Sequence, residues 1–315
     1  MKGRMEMLAN LIKKNKILWD IYLNLHYVKT NIKIHRLEKL DESEYPTYLA
    51  KQYYEKVGKN IDWKNLQTYT EKMQWAKIYD KDPRKTIFSD KVKVRDYVRN
   101  TIGDEYLIPV YGVWKDYDEI DFSQLPQKFV LKTNNGSNTN VIVKNKSIIN
   151  HRELRKKFRR WLKTDYSLLC GFELQYRNIE PRIIAEKYIE TLDGDLRDYK
   201  FLCFNGTVYY CWVDIGRYAE HKRNVYDLNW NLQPWNQFTY GNYDGNIERP
   251  KNFEKMIEIA EKLCYGFSHV RVDLYNVNGK IYFGEMTFTN GSGFEPIIPE
   301  EYNKMLGDLW DLSDK

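Results

Sequence analysis

Hydrophobic residues change their spacing near position 100, and this change divides the chain into a helical part and a strand-rich part. Leu66, Tyr69 and Met73 recur every three or four residues, which is the spacing of side chains on one helix face. Asp90 precedes a second run of this kind, at the position where an acidic N-cap residue satisfies the first amides of a helix. The pattern therefore predicts helices across residues 1–100.

Short runs rich in β-branched and aromatic residues begin at residue 107, and most are separated by polar turns. The predicted strands are 108–114, 128–133, 140–143, 182–189, 199–204, 207–213, 269–275 and 280–286, and the predicted helices between them are 151–163 and 253–263. Asn205-Gly206 and the segment 276–279 are typical of tight hairpin turns, in which Asn and Gly adopt positive φ angles. The order of these elements predicts an α+β fold.

The positive charge of the chain is concentrated at its start. The formal net charge is +6, and residues 1–40 carry nine Lys or Arg against three acids, so the remainder is neutral overall. A nucleic-acid-binding protein is expected to carry its basic residues along the binding groove, which argues against that class. Basic residues beside Leu18, Ile21 and Leu25 are typical either of an amphipathic helix on an anionic membrane face or of a basic helix packed on its own domain.

The cysteines and the hydropathy argue against several other classes. The four cysteines have no CxxC spacing, and the five histidines form no metal-ligand pattern with them, so a zinc site is not expected. No apolar run reaches the roughly 20 residues that span a bilayer, and the first residues lack the uninterrupted apolar stretch of a signal peptide. A cytoplasmic protein is expected.

The predicted hairpin near residue 278 carries the strongest chemical signal. Alternation of side chains along its two strands would place Arg271, Asp273, Glu285 and Thr287 on one face. Mg²⁺ prefers carboxylate oxygens and completes its shell with water and nucleotide phosphates, and an adjacent arginine stabilises the charge of phosphoryl transfer. The pattern indicates either a magnesium site or an ion network on a solvated sheet face.

Lys132 ends a strand-like run and enters the polar loop 133–140, which contains Gly136 and Ser137. A lysine in this position offers a point charge to phosphates, and the loop can add backbone N–H groups and hydroxyls. The segment matches neither GxxxxGK[ST] nor GxGxxG, so the nucleotide folds that carry those motifs are disfavoured. It predicts a phosphate cradle or a simple turn between strands.

A third signal is an apolar strand that ends in charged and aromatic residues. It runs from Ile183 to Glu186 and continues through Lys187, Tyr188 and Ile189. The end of such a strand can line an adenine pocket with backbone amides and offer a carboxylate to the ribose hydroxyls. A core strand with exposed ends would show the same pattern.

In their order along the chain, these segments resemble the ATP-grasp superfamily, which includes the D-alanine:D-alanine ligases. The resemblance is carried by Ser89-Asp90-Lys91, Val130-Leu131-Lys132 with its Gly/Ser loop, Glu186-Lys187-Tyr188-Ile189, Arg271-Val272-Asp273 and Glu285-Met286-Thr287. From about Glu71 to Glu295 the chain is more closely similar to the TupA-like ATP-grasp branch, which is associated with teichuronopeptide and capsular polysaccharide synthesis. Each motif alone has low specificity, but the presence of five motifs in the family's order argues against a chance match.

The resemblance implies both a fold and a set of ligands. It implies two α+β lobes that clasp ATP and Mg²⁺, with a largely helical region over 1–90, a central lobe over 91–189 and a C-terminal lobe with the metal site over 190–315. The residues implied to bind ATP are Lys91, Lys132, Gly136, Ser137, Glu186, Lys187, Tyr188 and Ile189. Those implied to bind magnesium are Asp273 and Glu285, and Arg271 is implied to face the transferred phosphoryl group.

Three details are left open by the resemblance. The superfamily usually has Asn two residues after the second metal carboxylate, whereas this chain has Thr287, so either Thr287 supplies a weaker oxygen ligand or Asn290 supplies one. Lys200 ends a segment similar to the family's Asp-Tyr-Lys pattern, which implies that Lys200 approaches the nucleotide and that Arg197 recognises an anionic substrate. The aromatic segment 230–243 is either a sugar-stacking lid or an irregular packed loop.

The predicted function is ATP-dependent ligation of a carboxylate to an amine through an acyl phosphate. In the family's setting, the substrates would be an amino acid and a hexuronic acid of a polysaccharide precursor, present as a small molecule, a nucleotide sugar or a lipid-linked carbohydrate. The alternatives are a glycosyltransferase, a sugar kinase with the same fold and a non-catalytic membrane scaffold. A glycosyltransferase would need a nucleotide sugar and no ATP, and a scaffold would bind vesicles without binding ATP.

Overall fold

The computed structural model describes residues 15–191, 194–216 and 220–312. Its N-terminal part is helical, as predicted, although residues 1–14 lie outside the described ranges. The helices there are α1 (Lys16–Leu37), α2 (Tyr45–Val57), α3 (Tyr69–Ile78), α4 (Arg84–Ser89) and α5 (Val94–Thr101). Within the described ranges, no helix is both long and apolar enough to cross a bilayer.

The start of α3 shows how local chemistry favours these helices. Thr68 Oγ1 accepts a hydrogen bond from the N–H of Glu71, while the Glu71 carboxylate accepts the N–H of Thr68 at 2.8 Å. This reciprocal capping box satisfies two amides that the start of a helix leaves unpaired. Tyr69 and Met73 are then buried together, as predicted, whereas Leu66 lies before the helix begins.

The first sheet consists of β1 (Val110–Trp114), β2 (Phe129–Thr133), β3 (Asn140–Val143) and β4 (Ile183–Lys187). The four strands are antiparallel and lie in the order β1-β4-β2-β3. Helix α6 (His151–Lys163) covers one face, where its Phe158 packs in one core cluster with Phe129 and Leu131, and α7 (Tyr166–Leu169) follows it. Alternation along β2 and β4 therefore turns Lys132 and Glu186 to the opposite face.

The second sheet has five antiparallel strands. In chain order the elements of this half are β5 (Asp198–Phe204), β6 (Thr207–Ile215), β7 (Lys222–Asp227), β8 (Asn236–Gln237), α8 (Phe253–Cys264), β9 (His269–Val277), β10 (Lys280–Thr287), β11 (Ile297–Ile298) and α9 (Glu301–Asp308). The sheet order is β10-β9-β5-β6-β7, while β8 and β11 form a separate short pair. Helix α8 packs on one face, where Phe253 and Met256 join Phe201 and Val272 in the core.

A β-bulge at Gly284 reverses the side-chain alternation of β10. Phe283 faces the hydrophobic core before the bulge, and Met286 faces it afterwards. The register shifts between Phe283 and Glu285, and Glu285 pairs with Asp273. Glu285 thereby joins Asp273 on the polar face of the sheet. A Cβ at position 284 would lie 3.0 Å from the carbonyl oxygen of Asp273, which is tighter than an ordinary contact and explains the glycine.

The face of the second sheet opposite α8 has an apolar part and a polar part. In the apolar part, Leu202, Phe204 and Trp212 pack against Tyr69 of α3 and Trp310. This cluster attaches the helical region and the end of the chain to the sheet. The polar part of the face, beyond this cluster, carries charged side chains.

The hydrophobic pattern does not predict β7, because the strand begins with polar residues. Lys222, Arg223 and Asn224 are typical of an exposed turn, yet Arg223 and Asn224 are buried. Arg223 donates two hydrogen bonds to the Asp214 carboxylate of β6, at 2.5 and 2.8 Å. A cross-strand ion pair therefore takes the place of the apolar contacts that usually mark a strand.

Replacing Phe158 with alanine tests the attachment of α6 to the first sheet. Phe158 is 0% exposed, so Phe158→Ala is expected to lower the free energy of unfolding by about 3–5 kcal/mol. Urea unfolding followed by circular dichroism measures the change. As a control, Phe238 is 68% exposed, and Phe238→Ala should change the free energy by less than about 0.5 kcal/mol. A loss below about 1 kcal/mol in Phe158→Ala would contradict the described packing.

Candidate functional site

Charged side chains cross the second sheet on the face opposite α8. They are Glu285 of β10, Arg271 and Asp273 of β9, Asp198 and Lys200 of β5, Asp214 of β6 and Arg223 of β7, and we call them the charged row. On β5, β6, β9 and β10, neighbouring residues along the strand turn to the apolar core on the other face. The sheet thus separates a hydrophobic core from a continuous row of acidic and basic groups.

Asp273 lies at the centre of the charged row and is 2% exposed. Arg271 Nε and Nη2 each donate to its carboxylate at 2.7 Å, and Lys200 Nζ donates at 2.6 Å. Burial raises the pKa of Asp273, and the two neighbouring cations oppose this shift. Burial alone would lower the pKa of Lys200, but Asp198 and Asp273 raise it above its usual value. These side chains form one hydrogen-bonded unit in which opposite charges compensate each other.

Thr287 and Glu285 extend this unit toward solvent. Arg271 Nη2 donates to Glu285 Oε1 at 3.3 Å and to Thr287 Oγ1 at 3.1 Å, and the Thr287 hydroxyl donates to Glu285 Oε1 at 3.0 Å. The Glu285 side chain is 41% exposed. Asn290 Oδ1 accepts a hydrogen bond from the Tyr69 hydroxyl at 2.5 Å. Of the two oxygen donors that the sequence leaves open, Thr287 is the one that hydrogen-bonds to Glu285.

Lys132 and Glu186 lie together on the inner face of the first sheet. Lys132 Nζ is 2.5 Å from Glu186 Oε2, and Arg95 Nη1 is 3.9 Å from Glu186 Oε1. Nearby in the loop after β2, the carbonyl oxygen of Gly136 accepts a hydrogen bond from Lys91 Nζ at 2.6 Å. The structure therefore gathers both predicted phosphate-binding lysines around β2 and the loop that follows it.

Lys91 links the first sheet to the charged row electrostatically. Burial lowers the pKa of Lys91, the charge of Glu285 opposes this shift, and the charge of Lys132 adds to it. The charges of Lys132 and Glu285 thus both act on the Lys91 ammonium. Glu285 also acts on Asp273, whose pKa its charge helps to raise.

The loop after β2 is held by a contact that the sequence motifs do not reveal. Asn134 Nδ2 donates to Asp90 Oδ1 at 2.9 Å, and Asn134 Oδ1 accepts the N–H of Arg182 at 2.7 Å. Asp90 thereby ties the loop to the segment that carries the neighbouring lysine. Gly136 lies against Tyr166, and a Cβ at this position would come within 2.7 Å of the ring. Close packing therefore explains the glycine in this loop.

The remaining predicted site residues lie around this region with different degrees of exposure. Ser137 and Lys187 are exposed, whereas Tyr188, Ile189 and Arg197 are half-buried. Lys200 is buried within the charged row, beside Asp273. The structure therefore brings Lys200 to the carboxylates and leaves Arg197 closer to the surface.

Arg223 forms a second centre in the charged row that sequence motifs do not indicate. Besides its bidentate pair with Asp214, its guanidinium lies 4.8 Å from the ring centroid of Trp212 and 4.4 Å from that of Tyr240. The sequence contains one signal for this centre, which is the alternation along β6 that places Asp214 on the same face as Trp212. Trp235 is buried in the core, so this part of segment 230–243 is packed loop and not a lid.

The oxygen donors of the charged row suit magnesium. Asp273 and Glu285 supply carboxylate oxygens and Thr287 supplies a hydroxyl, and these are hard donors that Mg²⁺ prefers. Over the part of the chain that the structure describes, no group of three or more His, Cys, Asp or Glu side chains could hold a metal ion. A magnesium ion here would therefore need the oxygens of a bound nucleotide or of water to complete its shell.

The family model for TupA-like ATP-grasp proteins matches residues 71–311, which is well over half of the chain. The protein therefore belongs to the TupA-like ATP-grasp family. This match confirms the predicted family, and with it the predicted α+β ATP-grasp fold. No match was found among curated proteins.

Several solved structures resemble the chain at low sequence identity. D-alanine–D-alanine ligase from Bacillus anthracis in complex with ATP is 16% identical over 64% of this chain and 54% of its own, with a TM-score of 0.37. A RimK domain ATP-grasp protein from Sphaerobacter thermophilus is 10% identical over 72% and 69%, with a TM-score of 0.39. Phosphoribosylamine–glycine ligase from Thermotoga maritima is 11% identical over 72% and 51%, with a TM-score of 0.40. The chain spans about half the length of the two ligases.

Buried His269 is expected to make the stability of the fold depend on pH. Burial lowers the pKa of His269 from 6.5 to about 3, and its Nδ1 donates to the carbonyl oxygen of Cys203 at 2.9 Å. Because the unfolded chain binds this proton at about pH 6.5, the contribution of His269 is complete above that pH and is lost as the pH falls toward 3. We expect this group to lower the free energy of unfolding by about 1.4 kcal/mol per pH unit in that window.

Denaturant unfolding across this pH range measures the dependence. His269→Gln should flatten it, because glutamine has no site that binds a proton. His26→Gln, on the exposed side of α1, serves as the control and should keep the dependence of the original protein. An unchanged slope in His269→Gln would show that other groups cause it.

Proposed function

We propose that the protein is an ATP-dependent carboxylate–amine ligase that works through an acyl phosphate. Its membership of the TupA-like ATP-grasp family supports this class of reaction. The observation that carries the proposal is that Lys91 and Lys132 meet around β2, where Lys91 Nζ donates to the carbonyl oxygen of Gly136 and Lys132 Nζ pairs with Glu186. Two lysines beside a polar loop are groups that bind the phosphates of a nucleotide.

In this proposal the first sheet and its loop bind ATP. Lys91 and Lys132 contact the phosphates, Gly136 and Ser137 belong to the loop that covers them, and Glu186, Lys187, Tyr188 and Ile189 hold the adenine and the ribose. The pairing of Glu186 with Lys132 at 2.5 Å supports an additional role for this carboxylate in orienting the lysine. Its second oxygen, 3.9 Å from Arg95, is held in place from the other side.

The charged row would supply the reacting half of the site. Asp273, Glu285 and Thr287 would hold Mg²⁺, which when bound neutralises charge on the phosphates. Arg271, which donates hydrogen bonds to Asp273 and Glu285, would stabilise the phosphoryl group during its transfer. Lys200, buried against Asp273, would orient that carboxylate, and the half-buried Arg197 would recognise an anionic substrate.

The proposed reaction has two steps. A carboxylate oxygen of the first substrate attacks the γ-phosphorus of ATP, the bond to the bridging oxygen breaks, and ADP leaves. The amine nitrogen of the second substrate then attacks the acyl carbon, the bond to the phosphate oxygen breaks, and phosphate leaves while the amine proton passes to water. Such chemistry depends mainly on positioning and electrostatic stabilisation, which lysine, arginine and carboxylates provide.

We further propose that the carboxylate substrate is a hexuronic acid of a bacterial surface-polysaccharide precursor, free or linked to a nucleotide or lipid, and that the amine is an amino acid. The setting of the family in capsule and teichuronopeptide synthesis supports this choice. The use of ATP supports a cytoplasmic reaction, and residues 1–40 would make a peripheral contact with the inner face of the membrane. Residues 1–14 of that segment lie outside the described ranges.

The reaction class is tested by incubating the protein with ATP, Mg²⁺, UDP-hexuronic acids and a panel of amino acids. We expect release of ADP and phosphate that requires both the carboxylate and the amine, and an amide product detectable by mass spectrometry. Formation of AMP would exclude the proposed acyl phosphate. ADP formation with a phosphorylated sugar and no amide would identify a kinase instead.

The proposed phosphate contact is tested by Lys132→Ala. Removing a charge that stabilises the transferred phosphoryl group is expected to lower kcat/KM for ATP by about 10²-fold. Lys128→Ala removes the same side chain four positions earlier, where Lys128 forms an exposed pair with Glu190, and should change kcat/KM by less than about twofold. Equal effects of the two substitutions would contradict the role given to Lys132.

A further inference from the structure

Helix α1 carries an apolar stripe on the side that faces away from the protein. Leu18, Ile21, Leu25, Val28 and Ile32 recur at intervals of three or four residues, so they lie on one face of the helix. We call these five residues the α1 stripe. Each of them is between 48% and 57% exposed. A contiguous row of exposed large apolar side chains marks a surface that contacts another body.

The other side of α1 attaches it to the rest of the protein. Ile34 and Leu37, near its C-terminal end, are buried in the core of the N-terminal helices. Tyr27 faces α6, where the guanidinium of Arg160 lies 5.0 Å from its ring centroid. Arg160 Nη2 also donates to the side-chain oxygen of Asn24. Because these contacts fix one side of the helix, the α1 stripe is directed outward.

A basic groove lies between α1 and α6, beside Tyr27. Helix α6 contains seven Lys or Arg residues and one acid. The groove between the two helices has a volume of about 350 Å³ and is lined by Tyr27 and by six basic residues of α6, among them Arg152, Lys156 and Lys163. Asp116 and Asp118 pair with Arg155 and Arg159, but two acids do not balance the charge of this helix.

Basic residues of α1 itself border the α1 stripe. Lys29, Lys33 and Arg36 line a second groove, of about 370 Å³, together with Ile32 of the stripe. The stripe therefore has a basic margin on α1, and the α6 groove adds basic side chains from a helix more than 100 positions further along the chain.

We propose that α1 and α6 form a docking surface for an anionic phospholipid bilayer. The α1 stripe enters the boundary between headgroups and acyl chains, while the basic residues of the α6 groove bind lipid phosphates. This combination of apolar and basic side chains is the one that holds helices in the membrane interface. A second copy of the chain fits less well, because pairing two stripes would bring their basic margins together.

The position of the docking surface leaves the candidate ATP site accessible. Helix α6 covers the outer face of the first sheet, whereas Lys132 and Glu186 lie on its inner face. A bilayer in contact with α6 would therefore lie on the face of the sheet opposite Lys132 and Glu186. The docking surface deepens the membrane contact proposed for residues 1–40 and uses none of the residues assigned to ligation, so the ligase reaction and the membrane contact can fail separately.

Co-sedimentation of the full chain with vesicles tests the docking surface. Vesicles of phosphatidylcholine alone are compared with vesicles that also contain phosphatidylglycerol. We expect at least about tenfold higher partition into the anionic vesicles, because several basic residues each add to the attraction, and a loss of this difference at high salt. Absence of binding to anionic vesicles, or equal binding to both kinds, would overturn the proposal.

Charge reversal on α6 tests whether the basic residues of this helix bind the anionic vesicles. Arg152→Glu/Lys156→Glu changes two exposed residues of the groove and is expected to lower partition into anionic vesicles at least about tenfold. The matched control Lys251→Glu/Lys280→Glu makes the same change in net charge on exposed residues near the β9–β10 turn, and should lower partition less than about twofold. An equal loss in the control would mean that binding follows net charge, and it would overturn the assignment to α6.

Polar substitutions in the α1 stripe separate a bilayer from a second copy of the chain. Leu25→Ser/Val28→Ser is expected to weaken partition into anionic vesicles at least about fivefold, because two exposed apolar side chains no longer enter the interface. Size-exclusion chromatography should show the same oligomeric state before and after the change. If the variant keeps its vesicle binding but dissociates from a dimer to a monomer, the stripe belongs to a second copy and the proposal is wrong.

Discussion

The candidate site depends on one reversal of side-chain direction, at Gly284 in β10. Up to Phe283 the odd-numbered residues face the core, and without the bulge Glu285 would follow them into it. A carboxylate in that apolar layer would be desolvated without a partner, which costs far more than a bulge does. Because glycine tolerates the close approach of the Asp273 carbonyl, the strand changes phase and presents Glu285 beside Asp273.

The charged row can exist on a largely buried sheet face because cations and anions alternate along it. Arg271 and Lys200 compensate Asp273, and Arg223 compensates Asp214. Each pair satisfies hydrogen-bonding groups that burial would otherwise leave unpaired. The same pairing holds the carboxylates in fixed positions. Stability and positioning therefore have the same physical origin here.

Much of the secondary structure follows from the sequence, because it depends on neighbouring residues. The predicted helix 151–163 coincides with α6. Asn205-Gly206 forms the predicted hairpin turn between β5 and β6, with both residues at positive φ. Strand β7 could not be predicted in this way, since the partner that makes Arg223 suitable for a strand is Asp214 of the adjacent strand. The same limit applies to Asn290, whose side chain is held by Tyr69, a residue 221 positions away.

By itself, the sequence determined the family and most of the helices and strands. It also determined which side-chain types are available for binding a nucleotide. Both follow from periodicity and motif order, which are properties of the chain alone. Only the tertiary structure decided that the charge of Glu285 acts on Lys91, that Thr287 hydrogen-bonds to Glu285, and that α6 adds basic side chains beside α1. The physical reason is that these contacts join residues far apart in the chain. Their distances depend on how helices and sheets pack, which no local pattern of residues specifies.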